Sequence, residues 1–155
     1  MDTSTRNKAL ELFEEGNLEE LYELIKPYID SEDALALNLY SKFSLNSANE
    51  SIEEFDARSM TLKLRASELG LAEASYTLAC EYMYGGDAFD RDMDKSAFFF
   101  ERAIDQGDIN AKCTYGTLLY YGNEKKKGLK YMEEAANCGL EAAIETLESI
   151  RKGKA

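Results

Sequence analysis

The side chains best suited to chemistry in this chain are carboxylates and thiols, because it contains no histidine. Histidine is the commonest general base near neutral pH and the commonest metal ligand, so most acid–base and metal chemistry is removed with it. The thiols are Cys80, Cys113 and Cys138. A thiol becomes a nucleophile when a base or a positive field favours its thiolate, and no histidine can supply one here. An odd number without close pairing spacing does not describe a disulfide framework, so the cysteines are expected as small buried hydrophobes. The strongest metal-like pattern is Asp90-x-Asp92-x-Asp94, with Glu101 at the twelfth position. It copies part of a calcium loop, but Lys95 stands where such a loop needs glycine for its sharp turn. The same residues fit a helix start, with Asp94 as the N-cap and Glu101 on the helix. Carboxylate pairs such as Glu14-Glu15, Glu19-Glu20, Glu53-Glu54 and Glu133-Glu134 diverge by about 100° on a helix and do not make acid–base dyads. Gly85-Gly86 lacks the rest of a phosphate-binding motif and reads as a helix terminator. The chain is therefore expected to be non-catalytic, with no cofactor and no metal.

Binding remains, and charge constrains it. The formal net charge of −12 disfavours nucleic acid and anionic membrane as partners. Residues 1–56 hold 14 acidic and 4 basic residues, whereas residues 57–155 hold 16 and 14. A basic protein is the simplest partner for that acidic first third; a solvated face that aids solubility is the plainer use. The first residues lack a signal-peptide core, and no apolar run approaches transmembrane length. With the unpaired cysteines, this gives a reduced, cytoplasmic setting as the expectation.

The elements that must position any binding residues are helices, since the apolar spacing is helical almost throughout. The first helix is expected from Thr3 or Ser4 to Glu15, stopped by Gly16. Asn17 then caps a second helix that stops near Pro27, where a backbone donor is missing. A third begins after Ser31 and uses Ala34 to Phe43. Residues 44–51 read as a loop because Ser and Asn side chains compete for backbone hydrogen bonds. Further helices are expected at 52–69, 72–84, 94–106, 109–121, 125–138 and 141–151, most of them stopped by glycine. The predicted class is all-α: a right-handed solenoid of stacked antiparallel helical hairpins, about nine helices in one domain of 155 residues.

A spacing of small residues supports the stack. It occurs as Met60–Ala66–Gly70–Ala74, Ala97–Ala103–Gly107–Ala111 and Leu129–Ala135–Gly139–Ala143, with the glycines 37 and then 32 residues apart. Periods of that size mark helical repeats, whose hairpins bury a shared core only by stacking. From Ala74 the chain reads Ala-x-Tyr-x-Leu-Ala-x-x-Tyr-x-x-Gly, ending at Gly85; from Ala111 it reads Ala-x-Cys-x-Tyr-Gly-x-x-Leu-x-x-Gly, ending at Gly122. Over residues 57–147 this resembles the Sel-one-like repeat, a relative of the tetratricopeptide repeat. The chain departs from that pattern at Cys113, Leu119, Met60 and Leu129, and the loop Asn123–Lys127 is short. Residues 1–56 look like acidic tetratricopeptide-type hairpins, and 148–155 form a basic tail. The resemblance implies an adaptor or scaffold that holds a protein or peptide on its concave face. Some small members of such families resemble immunity proteins, so the alternative is a cytoplasmic antidote that neutralises a basic toxin.

In such a fold the first helix of each hairpin lines the concave side. The slots three, seven and ten after the repeat alanine share one face: Thr77, Glu81 and Tyr84 in one copy, Thr114, Leu118 and Tyr121 in the next. These six are the candidate protein-binding residues, and tyrosine is well suited to the task; the alternative for Tyr84 and Tyr121 is that they cover the edge of the next hairpin. Phe98-Phe99-Phe100 spread over about 200° of a helix, so Phe100 faces inward and at least one of Phe98 and Phe99 leaves the core face; packing on a neighbouring layer is the plainer expectation, and an exposed protein-contact patch the alternative. Lys125-Lys126-Lys127 falls at a helix start, against the dipole, and reads as a solvated turn.

Overall fold

Asp2 starts the first helix by accepting the Thr5 amide on its carboxylate at 2.8 Å. In the computed structural model, which describes residues 1–86 and 89–153, α1 spans Thr3–Glu15 and ends where Gly16 turns left-handed at φ 75°. Asp87 and Ala88 of the loop before Met93, and Lys154 and Ala155 of the basic tail, lie outside the described residues. Helix α2 spans Leu18–Asp30. It runs past Pro27, where the sequence predicts a stop. One donor lost near a helix end is a small defect. Tyr28 and Ile29 pack on the core, and Ser31 N–H donates to Pro27 O at 3.2 Å, so the last turn continues. Helix α3, Ala34–Tyr40, is shorter than expected. Its cap is Asp33 rather than Ser31, accepting the Ala36 amide at 3.1 Å.

Helix α4, Ile52–Glu68, opens with a capping box: Ser51 Oγ accepts the Glu54 amide at 3.1 Å and the Glu54 carboxylate accepts the Ser51 amide at 2.9 Å. The loop before it is fixed by Arg58. The guanidinium donates to both Glu50 carboxylate oxygens at 2.7 and 2.9 Å, to Tyr40 O at 2.8 Å and to Phe43 O at 2.9 Å. It also lies over the Tyr40 ring at 4.1 Å. These hydrogen bonds, with one from Ser44, hold the Glu50 carboxyl down at about 2.

Helices α5 Ala72–Tyr84, α6 Met93–Asp105, α7 Ile109–Tyr121, α8 Lys125–Asn137 and α9 Glu141–Arg151 follow. There are nine α-helices and no strand among the described residues, so this is an all-α helical-repeat fold. The chain divides into two compact units, Met1–Ala74 and Ser75–Ala155. The sequence-derived boundary at residue 56 falls inside α4.

The small-residue spacing has a packing purpose, but its leading slot is one residue earlier than the sequence reading put it. Met60, Ala97 and Leu129 are half-buried, whereas Ser59, Ser96 and Gly128 are buried. Those three sit where two helices of a hairpin cross. Ser59 Oγ donates to Ser41 O at 2.6 Å, and Ser96 Oγ donates to Ala79 O at 2.8 Å. At Gly128 the backbones touch directly: a Cβ there would stand 2.5 Å from Tyr120 N and nearer still to the Gly116 carbonyl oxygen. Ser41, Ala79 and Gly116 each lie five residues after a fully buried alanine, namely Ala36, Ala74 and Ala111. The repeat therefore reaches back to α3, whose shortness and lack of a glycine stop conceal it.

Candidate functional site

The candidate residues lie on α5 and α7, so what fixes these helices fixes the site. Asp108 caps α7 by accepting the Ala111 amide at 2.8 Å. The Tyr76 hydroxyl on α5 and Thr114 Oγ1 on α7 are hydrogen-bonded at 3.2 Å. Burial pushes the Tyr76 phenol up, so it stays protonated. An aromatic ladder joins the helices behind them: Tyr76 on α5 meets Phe100 on α6 at 6.1 Å, Phe100 stacks on Tyr115 of α7 at 5.2 Å, and Tyr115 meets Tyr131 of α8 at 6.2 Å. Phe100 is fully buried, and aromatic pairs of this kind add to area burial.

In front of the ladder the two helices leave a groove of about 560 Å³, lined by Met83 and Tyr84 of α5, by Cys113, Thr114, Thr117 and Leu118 of α7, and by Arg91. Three of the six candidates, Tyr84, Thr114 and Leu118, come together there. Thr77 and Glu81 are half-buried on α5 and do not line it. Tyr121 is exposed, with its ring edge-on to Tyr120 at 5.0 Å. Tyr84 is the most open of the set, at 77 % exposure. Sequence reasoning missed Met83, Arg91, Cys113 and Thr117. The slots next to the chosen face carried a signal for Cys113 and Thr117, one residue before Thr114 and Leu118, because a groove wall spans more than one line of a helix. Nothing in the sequence pattern marked Arg91, which the loop before α6 supplies.

Two of the hydroxyls lining the groove are engaged within the protein. Thr117 Oγ1 donates to Cys113 O at 2.8 Å, and Thr114 is engaged by Tyr76. Burial pushes the Cys113 thiol up, and the Cys80 thiol likewise, so both remain thiols near neutral pH. Cys80 and Cys113 are half-buried, as small hydrophobes are, but Cys138 at the end of α8 is exposed. Among the described residues no group of three or more Cys, Asp or Glu is gathered to hold a metal. The calcium-like stretch is a helix start, with one correction: the cap is Asp92, not Asp94. Its carboxylate accepts the Asp94 and Lys95 amides at 3.1 and 3.0 Å, because Asp92 keeps an extended backbone while Asp94 is already in the first turn. Glu101 lies on α6 and is held by Lys127 and by the Tyr131 hydroxyl, each at 2.7 Å. Of the three phenylalanines, Phe98 is the exposed one at 54 %, under the Arg102 guanidinium at 4.7 Å. Lys125 and Lys126 are exposed at the start of α8. Among the described residues no helix is long and apolar enough to cross a membrane.

The arrangement is similar to that of solved structures. A Sel1 repeat protein from Oxalobacter formigenes superposes with a TM-score of 0.76 over 97% of this chain and 45% of its own, at 21% identity. A protective antigen present in uropathogenic Escherichia coli strains, displaying an SLR fold, matches with a TM-score of 0.70 over 86% of this chain and 29% of its own, at 20% identity. The chain has the Sel1-repeat fold. It spans less than half the length of either neighbour. No family profile matches the chain, and no curated protein does so. In Sel1-repeat terms, α3–α4, α5–α6 and α7–α8 are the hairpins, and α9 carries a further first-helix alanine in Ala143. The groove thus lies on the first helices of two successive repeats, α5 and α7.

Proposed function

We propose that the chain is a non-catalytic protein-interaction module that holds a protein or peptide segment in the groove between α5 and α7. The observation that carries this is the convergence of Tyr84, Thr114 and Leu118 on one groove of about 560 Å³. Tyr84 and Leu118 are exposed there, at 77 % and 36 %. Exposed aromatic and aliphatic side chains around a preformed concavity are what a partner's anchor residue buries against. The fold supports the reading, because stacked hairpins present extended surfaces without supplying catalytic groups. A photo-crosslinking amino acid placed at Leu118, with the same residue at Ile144 of α9 as the control, tests it in extracts of the source cells. Adducts from position 118 that are absent from 144 support the groove; equal adducts, or none at 118, count against it.

The second reading rests on the acidic residues 1–56. A cytoplasmic antidote would meet a basic toxin through that surface, and its association would weaken steeply with salt. Replacing Glu19, Glu20 and Glu23 by glutamine would then abolish capture, whereas Leu118→Glu would leave it intact. The groove reading gives the opposite pattern.

A further inference from the structure

Among the described residues the charged side chain lining the groove is Arg91, and its surroundings indicate what the occupant brings. The residue is presented by a fold-back of the chain rather than by a helix. Gly85 ends α5 at φ 71°, and a Cβ there would stand 3.1 Å from Arg91 N. Asp92 N–H donates to Tyr82 O at 2.9 Å, and Phe89 is buried edge-on against the Tyr82 ring at 5.0 Å. Those contacts pin the loop on both sides of Arg91 to the end of α5. Arg58 and Arg65 are committed to carboxylates. Among the described residues no ion pair or side-chain hydrogen bond engages the Arg91 guanidinium. Of its acidic sequence neighbours, Asp92 is occupied in capping α6, and Asp90 is exposed outside the groove lining.

Resting on the groove reading, we infer that the segment it takes is acidic: an apolar side chain seated between Met83 and Leu118, with a carboxylate beside it paired to Arg91. A guanidinium offers a planar fork of donors that matches a carboxylate, and apolar walls strengthen that pair by excluding water. A lysine or arginine at the same place in the occupant would meet the like charge of Arg91. The partner segment is therefore acidic even though the chain as a whole carries −12, because the field at a groove is set by the residues lining it.

The experiment is selection of a random displayed peptide library on the immobilised intact chain, followed by affinity measurement with the selected peptides. The expected pool pairs an apolar residue with a neighbouring Asp or Glu. Changing that acid to its amide weakens binding about tenfold. Arg91→Gln weakens the acidic peptide by the same factor and the amide peptide little, while Arg91→Lys keeps part of the effect. Arg91 is exposed, so these variants are expected to keep the wild-type thermal midpoint. A pool lost on Leu118→Glu but indifferent to acid and to Arg91 overturns the carboxylate pairing and leaves the groove reading standing. A pool indifferent to Leu118, or no pool, overturns both.

Discussion

Gly128→Ala removes nothing and adds one methyl group, yet it is expected to be among the most damaging single changes in the second unit. The new Cβ would sit 2.5 Å from Tyr120 N and closer than that to the Gly116 carbonyl oxygen. An ordinary carbon–oxygen contact is about 3.3 Å or longer, and both obstacles are backbone, so no side chain can rotate away. The α7–α8 crossing must open by about 1 Å. That loosens Met132 and Ala135 of α8, both fully buried. Overpacking costs typically ~1–3 kcal/mol and more where the backbone must move, while alanine returns at most ~1 kcal/mol of helix propensity. The net expectation is a loss of about 2–4 kcal/mol, or about 5–15 °C in thermal midpoint for a chain of this size. Gly116→Ala should cost less, because its Cβ would meet Gly128 O at 2.9 Å and otherwise the side chains of Met132 and Tyr131 at 3.0 and 3.1 Å. The two changes should be less than additive, since either one opens the same crossing. Urea and thermal unfolding followed by far-ultraviolet circular dichroism measure all three variants. A Gly128→Ala chain as stable as the wild type, or more stable, would refute the close-crossing argument.

Other expectations follow from single contacts. The Glu50 carboxyl, held at about 2 in the folded chain against an ordinary value of 4.5, favours folding above the ordinary carboxylate range. That contribution, at most about 3 kcal/mol, is lost as pH falls from about 4.5 towards 2. Glu50→Gln should flatten the stability profile in that window, as denaturant titrations across it would show. Phe100→Ala should cost about 3–5 kcal/mol in equilibrium unfolding, because the side chain is fully buried between Tyr76 and Tyr115 and leaves a cavity. Cys138 should react with a maleimide well before Cys80 and Cys113, read by mass spectrometry over time, since it is exposed and theirs are half-buried with raised thiols.

Much of this molecule can be read from its residues, and the reasons are specific. Gly16, Gly70, Gly107 and Gly139 all take positive φ at the ends the sequence assigned them, because few other residues accept that backbone. The bounds of α5, α7 and α9 were legible because glycines and, at α7, the capping carboxylate of Asp108 bracket them. The failures are tertiary. Pro27 did not end α2, since packing of Tyr28 and Ile29 outweighed a missing donor. The leading repeat slot was displaced by one because alanine at 97 resembles a packing residue more than serine at 96 does. Ser96 nonetheless fills it, through a bond to Ala79 O that no propensity reveals. At the candidate site, helical spacing located Tyr84, Thr114 and Leu118 on one face. It could not show that Thr77 and Glu81 lie outside the groove, nor that a loop residue, Arg91, lines it. Loop fold-back depends on contacts such as Asp92 N–H to Tyr82 O, which carry no periodic signature.

The claim that matters most is that the α5–α7 groove is where a partner is held. Once a partner has been crosslinked, its dissociation constant for the wild-type chain and for Tyr84→Ala and Leu118→Glu should be measured by calorimetry, with thermal midpoints alongside. Tyr84 is 77 % exposed and Leu118 36 %, so replacing Tyr84 should shift stability by no more than about 0.5 kcal/mol and replacing Leu118 by about 1 kcal/mol at most. A partner held in the groove should lose at least about tenfold in affinity, some 1.4 kcal/mol, while midpoints move by no more than about 4 °C. Full affinity in both variants would contradict it and move the search to the acidic surface of residues 1–56.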